Sequence, residues 1–209
     1  MESDASHQTI LGDCKAIVKL KSYRLQYGSE KLLLESAIDP VQWDSWSVRD
    51  VSILTNPDAS YVKEEGRLTM YYTGCSDKME LQQSGRAFSY DNGYSWEKDP
   101  SNPILTVSPG RWDSKVSSSP WVMKGENGYL MYYRGSSAAC KHDAIGLATS
   151  ADGVTLQKHP DNPIIQPSQF NGVLNNPTAM GVLNAIRSHE GTIMVFFEAL
   201  ESGYEKKGQ

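Results

Sequence analysis

Cysteine is sparse in this chain: three among 209 residues, an odd count with no metal-ligand spacing. Cys14, Cys75 and Cys140 therefore read as free thiols, which excludes a disulfide scaffold. Long apolar runs are missing as well, and none approaches the roughly 20 residues a membrane-spanning helix needs. The first residues, MESDASHQTILGD, have neither the basic start nor the apolar centre of a secretory signal. A cytoplasmic location and no membrane partner are the expectations. Positive charge is in deficit, with 20 Lys and Arg against 25 Asp and Glu and a formal net charge of −5. No basic stripe is available for a polyanion, so no nucleic-acid partner is expected. Aromatic residues, in contrast, are plentiful: eleven Tyr, five Trp and four Phe. They tilt the chain towards β-structure and aromatic binding surfaces.

Those aromatics recur in order. Met70-Tyr71-Tyr72-Thr73-Gly74 returns as Met131-Tyr132-Tyr133-Arg134-Gly135, and more loosely as Val195-Phe196-Phe197-Glu198-Ala199. Trp43-Asp44-Ser45 returns as Trp112-Asp113-Ser114. The strand start Asp50-Val51-Ser52-Ile53 aligns with Ser119-Pro120-Trp121-Val122 and then with Asn176-Pro177-Thr178-Ala179. Between these hairpins Ser89 to Trp96 precedes Asn102-Pro103-Ile104-Leu105, and Ser150 to Leu156 precedes Asn162-Pro163-Ile164-Ile165. Two hairpins, hence four short strands, in a period of about 60 residues predict an all-β chain built of propeller blades.

Taken in order, residues 1–13 are polar and without periodicity, and 14–209 form a partial propeller domain. The stretch 14–36 alternates well enough for a hairpin around Gly28 that completes the last blade; Leu32-Leu33-Leu34 also fits the start of a short helix. Blade one is expected over 43–105, blade two over 112–165 and part of blade three over 170–209. Two and a half blades do not close a ring, and an open one exposes sheet edges. The expectation is an N-terminal fragment, or a chain that assembles with others. Ser89 to Trp96 also fits the S-x-D-x-G-x-[ST]-W turn known as the Asp box, with Ser150 to Leu156 a shortened copy. Its expected role is local: Asp91 accepts backbone N–H bonds, Gly93 takes positive φ and Trp96 plugs into the blade.

In a blade the first strand is innermost and consecutive strands are antiparallel, so first-strand starts and second-strand ends share one mouth of the channel. That brings together Asp50, Ser119 and Asn176 with Thr73, Arg134 and Glu198. The loops leading in add Trp43, Asp44, Trp46, Trp112 and Asp113, and the loops after second strands add Asp77, His142 and Asp143. Carboxylates, an arginine and flat aromatics in one concave site suit carbohydrate, with acids placed for general acid/base or nucleophilic work. Each residue also has a plainer reading. Arg49 pairs with Asp50, Arg134 bridges carboxylates between blades, His142 and Asp143 are a solvated pair, and Trp46 packs on a neighbouring blade. The recurrence of Trp43 and Trp112 favours packing.

The texts VRDVSIL…RLTMYYTG, RWDSKVSSSPWVM…YLMYYRG and AIGLATSADGVTLQKHPDNPII together resemble the five-bladed β-propeller glycoside hydrolases of the family 43 and family 32 group. The resemblance covers about residues 40–200. It implies that Asp50, at the start of the first inner strand, is base or nucleophile. It also implies Glu198 in blade three as proton donor and Asp113 as the acid that tunes them. Trp46, Arg49, Arg134, His142 and Asn176, at or near the same mouth, are expected to bind the sugar. Ser119 and Asn176 stand where the family pattern has acids. Hydrolysis needs no organic cofactor; relatives sometimes hold a structural ion on the channel axis. Phosphorolysis served by Arg134, Lys141 and His142, and non-catalytic glycan binding, are the alternatives.

Overall fold

Short β-prone runs bounded by turn residues fold as antiparallel ladders, and the repeat in the sequence becomes a repeat of sheets. The computed structural model describes residues 33–76, 80–137, 143–173 and 177–201, all within one unit of the chain, Leu32–Gln209. The segment expected at 14–36 lies outside them except for its last few residues, which carry no strand.

Blade one comprises β1 (Ser47–Ile53), the two-residue rung β2 (Lys63–Glu64), β3 (Arg67–Ser76), β4 (Leu81–Ser89) and β5 (Glu97–Lys98). β1 pairs with β3, β3 with β4 and β4 with β5, all antiparallel, and β2 flanks β3. Blade two repeats this with β6 (Val116–Gly125), β7 (Gly128–Ser136), β8 (Ala144–Ser150) and β9 (Gln157–Lys158). Blade three contributes the hairpin of β10 (Pro177–Arg187) and β11 (Ile193–Glu201). One 3-10 turn, Pro167–Phe170, is the only helical segment among the described residues. The chain is all-β and blade-like, as the period predicted.

Sheets pack on one another through the aromatic repeat. Leu54 and Tyr71 of blade one bury against Val122, Met131 and Tyr133 of blade two. Met123 and Tyr132 of blade two bury against Ala185, with Val182 and Val195 beside them, in blade three. Phe196 is the register counterpart of Tyr71 and Tyr132.

Within blades one and two the W-D-S motif acts as a latch. Trp43 lies over Gly74 and Gly85, where no side chain fits, and stacks on Tyr72 at 5.6 Å. Asp44 pairs with Lys98 at 2.5 Å and accepts a bond from the Tyr72 hydroxyl at 3.4 Å. Asn102 then clamps the end of the blade, its Nδ2 donating to Tyr72 Oη at 3.1 Å and to the Arg86 carbonyl at 2.8 Å. Trp112, Gly135, Tyr133, Asp113, Lys158 and Asn162 repeat the arrangement in blade two. Burial, and then the neighbouring carboxylate, pushes both tyrosine phenols well above their ordinary range. A Cβ on Gly74 would come within 2.2 Å of the Trp43 ring. Gly74→Ala is expected to cost about 1–3 kcal/mol by overpacking, read from chemical denaturation.

The Asp-box turns join β4 to β5 and β8 to β9. Asp91 Oδ1 accepts from Ser95 N–H at 2.8 Å, Gly93 has φ +93°, and the Trp96 indole donates to the Gly93 carbonyl at 3.1 Å. The Ser95 hydroxyl, then its N–H, holds the Asp91 carboxyl down at about 2, from an ordinary 3.8. A depressed carboxylate stabilises the fold above its ordinary value and stops doing so as pH falls through its folded value. The destabilisation caused by Asp91→Ala is therefore expected to be complete at neutral pH and to shrink between about pH 4 and pH 2, in denaturation series across that window.

Candidate functional site

Backbone pairing fixes which side chains meet at the blade ends. Arg49 faces Thr73, Ser118 faces Arg134 and Gly181 faces Glu198. Just beyond these pairs each inner strand carries a β-bulge that re-aims the next residue. In blades one and two the bulge puts a non-glycine residue in the left-handed region: Asp50 at φ +50° and its counterpart Ser119 at φ +49°. Such backbone costs of order 1–3 kcal/mol and persists where the surroundings determine it.

The two bulges are stitched together. Ser119 N–H donates to Thr73 Oγ1 at 2.8 Å, Ser119 Oγ donates to Asp50 Oδ2 at 3.0 Å, and Ser52 Oγ donates to the Pro120 carbonyl at 2.6 Å. Gln82 Oε1 accepts from both Arg49 Nη2 and Arg134 Nη2, each at 2.7 Å, so a single buried amide aligns the two guanidinium groups. Outside them stand the carboxylates, Asp50 at 3.9 Å from Arg49 Nε and Asp143 at 3.8 Å from Arg134 Nη1. Asp50, Arg49, Ser119, Arg134 and Glu198 line one cleft of about 430 Å³. Glu198 is exposed above Gly181, where a Cβ would come within 3.0 Å of its Oε1.

The cleft thus brings together five of the residues picked from sequence: Asp50, Ser119, Glu198, Arg49 and Arg134. Asp113 is not among them. Its expected place on the rim is corrected by its burial: it is 1% exposed, inside blade two, and lines a different pocket. Its Oδ2 pairs with Lys158 and accepts from the Tyr133 and Ser117 hydroxyls at 3.2 Å each. Burial holds the Lys158 ammonium below its ordinary value, with Asp113 pulling the other way. Asp44 and the two tryptophans of the motif are likewise latch residues and not rim residues.

The blade-three register is also corrected. Pairing across the Arg187–Ile193 hairpin places Val182, and not Asn176, at the position of Asp50 and Ser119. Asn176 precedes β10 and, with His142, Lys141 and Asp77, lies outside the described residues. Trp46 is 55% exposed on the loop before β1 and is not among the residues lining the cleft.

Sequence reading missed Gln82 because it considered only first-strand starts and second-strand ends. Gln82 and Asp143 occupy equivalent positions at the starts of the third strands, one residue before the pairs Gly74–Gln83 and Gly135–Ala144. Third-strand starts face the same mouth as second-strand ends, and that was the available signal. Among the described residues no group of three or more His, Cys, Asp or Glu could hold a metal ion, and no helix is long and apolar enough to cross a membrane.

No family model matches the chain, and no curated protein matches it. Solved structures do. A family 117 glycoside hydrolase of the marine bacterium Zobellia galactanivorans superposes with a TM-score of 0.53 at 16% identity, over 83% of this chain and 48% of that one. The β-1,2-mannobiose phosphorylase of Listeria innocua gives 0.55 at 19% identity, over 72% and 40%. A thermostable family-43 glycoside hydrolase gives 0.52 at 20%, over 73% and 49%. The fold is that of the β-propeller glycosidases, and the chain spans about half the length of the solved structures it matches.

Proposed function

We propose that the protein acts on glycosidic bonds of plant or microbial glycans, with carbohydrate bound in the cleft at the blade ends. The observation that carries this reading is the meeting of Asp50 from blade one and Glu198 from blade three in one cleft, beside Arg49 and Arg134. Two carboxylates that flank a sugar divide the labour of hydrolysis. One protonates the departing oxygen, and the other activates water or attacks the anomeric carbon. Asp50 is the base or nucleophile, its orientation set by the bulge and by Ser119. Glu198, exposed at the end of its strand, is the acid. Arg49 and Arg134 serve as donors to sugar hydroxyls, since a guanidinium presents several N–H groups in a fixed plane. No organic cofactor has a step in this chemistry.

Aryl glycosides, screened with and without inorganic phosphate, test the reading; no turnover under either condition would overturn it and favour a glycan-binding role. Leaving-group dependence then tests Glu198. Glu198→Gln is expected to lose about 10²–10⁴-fold on unactivated glycosides and far less on nitrophenyl glycosides, whose leaving group departs without a proton. Phosphorolysis is the second reading, favoured by the two arginines joined at Gln82. Phosphate-dependent turnover would establish it. Against it stands the local charge, since Asp50, Asp143 and Glu198 outnumber the two guanidinium groups and repel a dianion.

A further inference from the structure

Where the resemblance to glycoside hydrolases leads one to expect a second acid on the inner strand of blade two, the chain has Ser119. We propose that Ser119 is a positioning residue for the reacting carboxylate: its hydroxyl pins Oδ2 of Asp50, leaving Oδ1 as the oxygen presented to the sugar or to water. The proposal rests on the reading of Asp50 as base or nucleophile.

Three observations support it. First, Ser119 and Asp50 occupy the same bulge position in successive blades, with the same left-handed backbone, so the two residues converge from the inner strands of neighbouring blades. Second, the bond between them is 3.0 Å and runs from hydroxyl to carboxylate, a charge-assisted contact. Among the described residues nothing donates to Asp50 Oδ1. Third, Ser119 is itself fixed. Its N–H is held at 2.8 Å by Thr73 Oγ1, a residue with no exposed surface, and the next residue's carbonyl accepts from Ser52 at 2.6 Å. A left-handed residue anchored on both sides presents its hydroxyl in one direction. The other groups near Asp50 are Arg49 at 3.9 Å, Arg134 across Gln82, and Glu198 in the same cleft.

A serine differs from an acid here in sign. A hydroxyl donor favours the charged carboxylate, whereas a second carboxylate at this distance disfavours it. Ser119→Ala is expected to lower kcat roughly 10–100-fold at little change in KM, the effect of removing one hydrogen bond to a charged group. Ser119→Gly should give the same loss although it relieves the left-handed backbone, which separates the hydroxyl from the strain.

An independent readout is the carboxyl ¹³C resonance of Asp50, assigned by its disappearance in Asp50→Asn. It is expected to shift in Ser119→Ala and Ser119→Gly and again in Thr73→Val, which frees the Ser119 N–H. An unmoved resonance, or a full kcat in both serine variants, overturns the proposal. A resonance that moves in a protein turning over no glycoside sinks the catalytic reading of Asp50 and leaves the holding contact supported.

Discussion

Asp50→Asn is expected to remove turnover by about 10²–10⁴-fold or more while sugar binding survives. Asparagine keeps the shape of the side chain and its Oδ acceptor for Ser119. It also tolerates the left-handed region nearly as well as aspartate, so the φ of +50° costs it little. What it lacks is the charge that attacks or takes a proton. Asp50→Gly makes a sharper companion, because glycine releases the strain altogether. It should be as inactive as the asparagine variant, and at least as stable as the parent chain in thermal unfolding. Parallel measurements of turnover, sugar binding by calorimetry and Tm check all three. An asparagine variant with parental turnover would remove Asp50 from the chemistry.

The second large effect concerns Asp113. Asp113→Ala strands Lys158 in a site where only 21% of its side chain meets solvent. Breaking one side of a buried ion pair costs about 3–5 kcal/mol, because the remaining charge is left uncompensated. For a chain of this size that corresponds to a fall in Tm of roughly 6–20 °C. Substituting the pair together, Asp113→Leu with Lys158→Met, should restore much of the loss, since no buried charge remains. Were Asp113 a catalytic acid of the cleft, its removal would instead cut turnover and spare Tm, and differential scanning calorimetry alongside kinetics separates the two outcomes.

The blade pattern was legible in the sequence because two physical demands repeat with it. In blades one and two the second strand needs a glycine under its tryptophan, Gly74 and Gly135, and the blade end needs an Asn-Pro run to clamp its tyrosine, as at Asn102 and Asn162. The cleft was legible in part. Asp50 and Arg134 could be placed because strand direction alone puts first-strand starts beside second-strand ends. Asp113 could not, because a W-D-S motif reads the same on a rim as inside a blade. Only the lysine arriving from the fourth strand, Lys158, and before it Lys98, reveals that the aspartate is neutralised within its own sheet. The blade-three register failed for a similar reason. Pro177 does begin the strand, but the tight turn at Ser188–Thr192 sets the pairing from the far end of the hairpin and puts Val182 at the bulge.

Blades one and two each close their outermost strand onto their second with their own tryptophan, ion pair and asparagine clamp. Loss of one such fastening is a local event. Amide exchange after damage to the Asp44–Lys98 pair should quicken in β3 to β5 while the amides of β7 to β9 keep their protection, so that the molecule comes apart sheet by sheet.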